Sequence, residues 1–394
     1  MAADRISELP DPILHHILSY LPTKLVVKTS ILSKRWRYLW ASCSHVHIGI
    51  DDFPSITSFE RFTEAVLLCR DASSAIQTFH LCWDRDYDQF HADIWIYHAV
   101  QRSVRELDLA LALNGKLPRC IFTCKTLSIL KLTLNNHLRD MEFPINLSRL
   151  ETLHLSATTF EGDTLVKLIS GCPVLECLKM MFCKFYVLEI NSRKLKHLDL
   201  LETGSRRARV RVVAPGLKSL DIRSLKAQEI SLEHLTSLER ADLRNLTFHG
   251  ETRVFRSLYA VSSLQLNDSA LEYIFKEMLF SQSAPTRLQR LKNLKLMTCM
   301  SDAPLEAITC LLHQSPNLEN LVIEFYKEAR FERTFWEEKR PVPDSFFGKL
   351  ELLGNLKSVE IRHFKSRTST HELVKFFLSN GKRLEKMLII PKQG

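Results

Sequence analysis

Residues 195–222 read LKHLDLLETGSRRARVRVVAPGLKSLDI, and the hexad that opens this stretch returns at its end. Leucine or isoleucine fills positions one, four and six of both copies: Leu195, Leu198 and Leu200, then Leu217, Leu220 and Ile222. Positions four and six lie two residues apart, so in an extended strand they share a side, and position five points away. Further copies, with some substitution, begin at Ile76, Val104, Leu127, Leu150, Leu175, Leu238, Val261, Leu291, Leu318, Leu356 and Leu384. Successive starts differ by 28, 23, 23, 25, 20, 22, 21, 23, 30, 27, 38 and 28 residues. Stacking one such strand per repeat gives a parallel sheet whose leucines form a continuous inner column.

A period of mostly ~20–29 residues is that of leucine-rich repeats. In that pattern an Asn or Cys often follows the last leucine by three residues, buried against the turn; here the position holds Asn135, Cys183 and Cys299. The return segments are expected to be partly helical. Asp163 can cap a helix over Thr164–Ser170 ending at Gly171, and Asp302 one that ends near His313. Longer helices are expected at Ser58–Arg70 and Asp93–Ser103.

Upstream of the repeats, residues 5–40 read RISELPDPILHHILSYLPTKLVVKTSILSKRWRYLW. The spacing predicts three short amphipathic helices. Asp11 can cap the first, with Pro12 at its first helical position; Ile13, Leu14, Ile17, Leu18 and Leu21 give it an apolar face. Thr23 can cap the second and Ser33 the third, which carries Trp36, Leu39 and Trp40. So small a unit holds little core, so its large apolar groups must lie against the rest of the chain or against a partner.

This segment resembles an F-box over residues 4–44, in the plant form, with Leu9-Pro10, Leu21-Pro22-Thr23 and Ser33-Lys34-Arg35-Trp36 in register. The resemblance implies docking on a Skp-type adaptor and, through it, on cullin and RING subunits of a ubiquitin ligase. Carried over by position, Leu9, Pro10, Leu14, Ile17, Leu18, Leu21, Pro22, Val26 and Trp36 face the adaptor. The C-terminal part, with LKSVEI at 356–361 and ELVKFFLSNGKRLEKMLII at 372–390, is similar to the FBD segment of plant F-box proteins. Trp336 and the Pro341–Pro343 stretch share in that likeness; Tyr326–Arg340 reads as an exposed loop, and Thr370 as a helix cap.

The expected fold is α/β: an N-terminal three-helix F-box, then an irregular leucine-rich-repeat solenoid of parallel strands with helical or irregular returns. The expected domains are an F-box at 4–44, linking helices and a first repeat at 45–103, repeats at 104–334, and a capping FBD-like segment at 335–394. The implied role is substrate recognition for a Skp–cullin–F-box ligase, with an unknown protein substrate. The alternative is a repeat scaffold not coupled to any ligase.

Composition bounds the remaining readings. No secretory signal opens the chain, and no stretch approaches the ~20 apolar residues of a membrane span. The ten cysteines form no CxxC pair with neighbouring histidines, so a metal site is not expected and the thiols read as small buried apolar groups. Nucleus and cytoplasm both suit reduced thiols. The net charge of +9 raises nucleic-acid binding. However, the basic run Arg206–Arg211 alternates with valine as a solvated strand face does, and no aromatic residues interleave with it.

Neither a phosphate-binding glycine loop nor GxSxG or HExxH occurs. Cys43 near His45 and His47 has no visible acid partner, so neither catalysis nor a cofactor is expected. At the outward fifth position, Asp199, Asp221 and Asp242 are expected to form an acidic ladder on the concave face, beyond His154 and Lys179 of earlier repeats. The ladder is a candidate site for a basic substrate segment, with Arg240 and His197 as internal counter-charges.

Overall fold

The computed structural model describes residues 6–84, 88–112, 117–135, 137–138, 143–250, 252–280, 287–299, 304–326, 353–364 and 368–391. The expectations on Asp302, Trp336, Pro341–Pro343 and the loop after Tyr326 lie outside these residues. The chain divides into two units, Met1–Phe185 and Tyr186–Gly394.

The first unit begins with three helices, α1 (Asp11–Leu18), α2 (Thr23–Lys28) and α3 (Leu39–Ser42). Then come β1 (His45–Gly49), α4 (Ile56–Cys69), β2 (Thr78–Trp83), α5 (Gln89–Gln101), β3 (Glu106–Leu111), α6 (Arg119–Phe122) and β4 (Ile129–Thr133). It closes with β5 (His137–Leu138), β6 (Thr152–Ser156), β7 (Thr159–Phe160), α7 (Thr164–Ser170) and β8 (Cys177–Met181). Six strands pair in parallel in the order β1-β2-β3-β4-β6-β8. Their inward residues, such as Phe79, Leu81, Leu107, Leu130 and Leu153, are fully buried.

Strand β1 was not among the expected repeats, because its hexad is Cys43, Val46 and Ile48, with cysteine where the others carry leucine, isoleucine or valine. Cys43 and Val46 are buried, 1% and 0% exposed, so Cys43 is a packing residue and its neighbourhood to His45 and His47 is that of a strand.

The second unit runs β9 (Val187–Asn191), β10 (His197–Gly204), β11 (Arg209–Val213), β12 (Ser219–Ala227), β13 (Glu229–Glu233) and β14 (Arg240–Arg244). It continues with β15 (Thr247–Phe248), β16 (Thr252–Arg253), β17 (Ser263–Asn267), α8 (Asp268–Phe280), β18 (Asn293–Cys299) and α9 (Pro304–His313). The last elements are β19 (Asn320–Tyr326), β20 (Ser358–Phe364), α10 (Thr368–Asn380) and β21 (Lys386–Pro391). The repeat strands pair in the order β10-β12-β14-β17-β18-β19-β20-β21, and β16-β13-β11-β9 form a second parallel sheet.

The second sheet is made of return segments expected to be helical or irregular. Its cause is repeat length. Starts at Leu195, Leu217, Leu238 and Val261 are 22, 21 and 23 residues apart. Returning over so few residues favours the ~3.3 Å rise of a strand over the ~1.5 Å of a helix, although the 23-residue repeat from Val104 returns through the single turn of α6. Where starts are 30 and 27 residues apart, after Val261 and Leu291, the returns hold α8 and α9. Arg209 and Arg211 point to solvent from β11 while Val210 and Val212 are buried, as alternation requires.

Caps depart from expectation in instructive ways. Pro10, at φ −60° and ψ 146°, is the residue before α1, so Asp11 opens the first turn, where its charge suits the helix dipole. Pro22 precedes α2 in the same way; the Thr23 hydroxyl instead accepts the backbone N–H of His47 at 2.8 Å. The Ser33 hydroxyl is buried with no partner among the described residues and caps nothing. Asp163 stands before α7 without a side-chain cap bond, and α10 begins two residues before Thr370. By contrast Ser55 and Ser58 form a reciprocal cap on α4, and Asp88 accepts from Phe90 and His91 at the start of α5. Asn135 is exposed at φ 48°, so it serves the turn by conformation and is not buried as expected. Cys183 does fill the buried position, its thiol donating to the carbonyls of Leu155 and Met181 at 3.4 and 3.3 Å.

Candidate functional site

Two surfaces follow from the residues singled out above: the N-terminal helices of the first unit, and the outward strand face of each unit.

The helices build a core of their own. Leu14, Leu18, Val26, Trp36, Leu39 and Cys43 form one buried cluster, with Leu9, Leu21 and Trp40 packed against it. Arg35 stitches the entering segment to this cluster. Its guanidinium donates to the carbonyls of Ser7 and Leu9 and to Asp11 Oδ1, the last two at 2.6 Å. The Trp36 indole N–H donates to Ser7 Oγ at 2.8 Å. The Leu9-Pro10-Asp11 and Lys34-Arg35-Trp36 sequences are therefore two halves of one clasp.

This geometry corrects part of the expected docking set. Leu14, Leu18, Val26 and Trp36 are 0%, 1%, 2% and 5% exposed, so their side chains lie inside the unit and offer no surface to a partner. Leu9, Leu21 and Pro22 are half-buried; Pro10 and Ile17 are exposed. The apolar groups that do reach solvent are Ile6 (58%), Ile13 (46%), Ile17 (42%), Leu25 (45%), Ile31 (86%) and Leu32 (64%), together with Tyr20 and Tyr38. Ile13 and Ile17 are one turn apart on α1, as Leu14 and Leu18 are, so the helix carries two apolar stripes and buries one. Large apolar side chains grouped on so short a segment mark a contact surface rather than ordinary exposure.

The helices are joined firmly to the first repeats. Buried Arg70 donates to the carbonyl of Cys43, Asp71 N–H to Ala41 O at 3.1 Å, and Gln77 N–H to Ser44 O at 2.8 Å. Burial lowers the Arg70 pKa.

On the first unit's outward face, register aligns His47, His80, Asp108, Lys131, His154 and Lys179 in one row. His80 Nδ1 lies 3.3 Å from Asp108 Oδ2, and Lys131 Nζ 2.6 Å from Glu106. Burial, then the His80 ring, lowers the His47 pKa. On the second unit's face, Asp199, Asp221 and Asp242 are direct register partners, as the ladder requires.

The ladder's counter-charges are not those expected. His197 and Arg240 are exposed and make no pair with it. Arg223 Nη2 donates to both oxygens of Asp199, at 2.9 and 3.1 Å. Arg244 grips Asp242 with two bonds, Nε to Oδ1 at 2.7 Å and Nη2 to Oδ2 at 2.6 Å. Both arginines stand two residues beyond an aspartate of the ladder, on the same strand face, where period-two alternation could have found them. Asp221 makes no close ion pair among the described residues; it accepts from Ser219 Oγ at 3.2 Å and feels the Arg223 guanidinium only at longer range. Burial, then the carboxylates of Asp242 and Asp199, raises its pKa.

Burial also pushes the thiols of Cys172 and Cys183 up, to about 12 and about 11, which leaves them un-ionised near neutral pH. Among the described residues no three His, Cys, Asp or Glu side chains are grouped to hold a metal, and no helix is long and apolar enough to cross a membrane.

Comparison with known proteins bears on both surfaces. The F-box domain family matches residues 6–47, and the At1g61320/AtMIF1 LRR domain family matches residues 69–390. Over 99% of its length the chain is 29% identical to the F-box/FBD/LRR-repeat protein At2g26030 of Arabidopsis thaliana, covering 92% of that protein. It is 30% identical, over 98% of its length, to the F-box/FBD/LRR-repeat protein At3g52680 of the same plant, covering 85% of it. The putative FBD-associated F-box protein At5g56440, also from Arabidopsis thaliana, is 30% identical over 98% of the chain and 92% of its own length.

Proposed function

The chain belongs to the F-box/FBD/LRR-repeat proteins, and from that membership we propose that it is a non-catalytic, substrate-recruiting subunit of a Skp–cullin–F-box ubiquitin ligase, working in the nucleus or cytoplasm. The N-terminal helices dock a Skp-type adaptor, which brings cullin and RING subunits, and the repeat strands bind the protein to be ubiquitinated. The observation that carries the reading is the second apolar stripe. The helical unit has completed its own core with Leu14, Leu18, Val26 and Trp36, yet still presents Ile13, Ile17, Leu25, Ile31 and Leu32 to solvent. Covering those groups with a partner is favourable at ~25 cal/mol per Å² of apolar surface.

Docking in this reading runs through Ile13 and Ile17 rather than Leu14 and Leu18. The buried residues set the shape of the docking face, and Arg35 and Trp36 hold the Leu9-Pro10 segment beside it. For the substrate, the acidic ladder narrows to Asp221, since Asp199 and Asp242 already carry arginines. A lysine or arginine of the substrate placed there meets a carboxylate that no arginine grips directly, and the other outward groups His154 and Lys179 supply contacts on the first unit.

The test uses purified full-length protein with a Skp-type adaptor, cullin and RING subunits. Co-elution of all four is the expected result. Affinity capture from plant cells after proteasome inhibition then identifies what accumulates on the repeats. Asp221→Lys is expected to retain the adaptor and to lose a captured substrate of the basic type. A protein that recovers substrate-like partners but never the adaptor is a repeat scaffold, and the ligase reading falls.

A further inference from the structure

The edge of the second unit's sheet from which the strands start carries a groove of about 590 Å³ that none of the preceding roles uses. Its backbone is regular. Lys292 and Asn293 both donate N–H to Ser262 O, Glu319 and Asn320 to Lys292 O, and Lys357 and Ser358 to Glu319 O. Each repeat thus fixes its corner residue beside the next, and parallel strands set the corners ~4.8 Å apart.

The side chains that line the groove are biased in charge, between the corner carboxylates Glu239 and Glu385 of the flanking repeats. Arg290, Lys292, Lys357 and Arg383 line the groove with a single carboxylate, Glu319. Glu319 is shared, Oε1 lying 3.2 Å from Lys292 Nζ and Oε2 lying 2.9 Å from Lys357 Nζ. Lys357, then Lys292, holds its carboxyl below the usual range. Four cations against one anion leave the groove at +3. Neither Arg290 nor Arg383 has a carboxylate partner among the described residues. The floor is a chain of amides: Arg383 Nη1 donates to Asn355 Oδ1 at 3.2 Å, and Asn355 Nδ2 to Asn317 Oδ1 at 3.2 Å.

We propose that this groove binds a short acidic segment of a protein partner, with Asp or Glu carboxylates taken by Arg290 and Arg383 and backbone groups by the asparagine amides. The proposal rests on the reading of the repeats as a substrate-recruiting surface and names the chemistry one of its contacts selects. Guanidinium groups receive carboxylates through two parallel bonds, and arginines that hold no carboxylate on an exposed edge are placed to do so. With Asn355 Nδ2 also donating to Pro316 O and Asn317 Nδ2 to Gln289 O, Asn317 keeps one N–H and each amide oxygen one lone pair for a peptide backbone. A nucleic-acid strand fits worse: no aromatic side chain lines the groove for base stacking, and Glu319 at its centre repels a continuous phosphate chain.

Fluorescence anisotropy on the full-length protein carrying Asp221→Lys, which removes the site proposed above for basic segments, tests this with a labelled ten-residue Asp/Glu/Gly peptide, a matched Lys/Gly peptide and a single-stranded RNA of about twenty nucleotides. The acidic peptide is expected to bind at least tenfold tighter than the basic one. Arg290→Glu with Arg383→Glu should weaken it at least tenfold, and Glu319→Gln, which raises the groove to +4, should tighten it severalfold. All three changes fall on the groove surface, and matched circular dichroism confirms the fold. Equal binding of the two peptides, unchanged affinity in the double variant, or RNA binding that is tighter and lost in the same variant overturns the proposal. Adaptor co-elution measured on the same samples separates this outcome from the ligase reading, since the groove variants should retain the adaptor whichever peptide result is found.

Discussion

At the scale of single residues, the sheet edges carry strain that repeats. Ala157, Phe182, Glu202, Ser224, Asn245 and His363 all have φ between 47° and 62°, each two residues past the last apolar position of its hexad. A left-handed conformation costs a residue with a Cβ roughly 1–2 kcal/mol, and glycine little. Phe182 is 52% exposed and gives up little packing on truncation. Phe182→Gly or Ala157→Gly is therefore expected to raise the unfolding free energy by about 0.5–1 kcal/mol, measured by urea denaturation. Gly204 is the converse case: at φ 85° a Cβ there would stand 2.2 Å from Lys226 O, so Gly204→Ala should destabilise by about 2 kcal/mol or more.

Asp221 gives a pH-dependent prediction. Its pKa in the folded protein lies above the ordinary value of 3.8, so the ionised form is disfavoured by folding. The penalty is absent at low pH and grows as pH rises through 3.8 toward the raised value. Asp221→Asn should accordingly raise the melting temperature at pH 7 and leave it unchanged near pH 3; a variant equally stable to wild type at pH 7 contradicts the assigned burial.

At the scale of elements, the repeat strands were legible because leucine at positions one, four and six has no other use in so regular a spacing. The first strand was hidden by one substitution, Cys43, whose small apolar side chain fills the same place without matching the pattern. The second sheet was hidden for a different reason: Val187–Asn191 and Arg209–Val213 alternate as strands do, but nothing local says that successive returns will pair. The proposed docking face was ambiguous in principle. On α1, Leu14 with Leu18 and Ile13 with Ile17 have the same spacing, and only tertiary packing chooses which stripe is buried. The two stripes should now separate by measurement. Leu14→Ala is expected to cost about 2–5 kcal/mol of stability, as a buried leucine truncation does. Ile13→Ser should change stability by less than about 1 kcal/mol, because nearly half of that side chain is already in water.

At the scale of the molecule, the F-box is part of the first unit's structure and not a bead on a tether. β1 belongs to the repeat sheet, Thr23 accepts from His47, and Arg70 closes the joint on the Cys43 carbonyl. In the ligase reading such a joint fixes where the first repeats stand relative to the adaptor. The helices and first repeats should then unfold together. Calorimetry of the full-length protein should show no separate early transition for the helices, and Arg70→Ala, which leaves the Cys43 carbonyl buried without its donor, should lower the stability of the shared transition by about 1–3 kcal/mol. The sequence alone announced the two parts through their patterns. It could not show this joint, since Arg70 and Cys43 are 27 residues apart and become partners only through the fold.

The central claim is that the exposed stripe of α1 and its neighbours captures a Skp-type adaptor, and isothermal titration of the purified adaptor into the full-length protein tests it most directly. Covering Ile13 and Ile17 contributes about 1–2 kcal/mol each, so Ile13→Ser with Ile17→Ser should weaken binding by on the order of 10²-fold with the melting curve preserved. Wild-type protein that shows no binding, or a double variant that binds as tightly as wild type, contradicts the account.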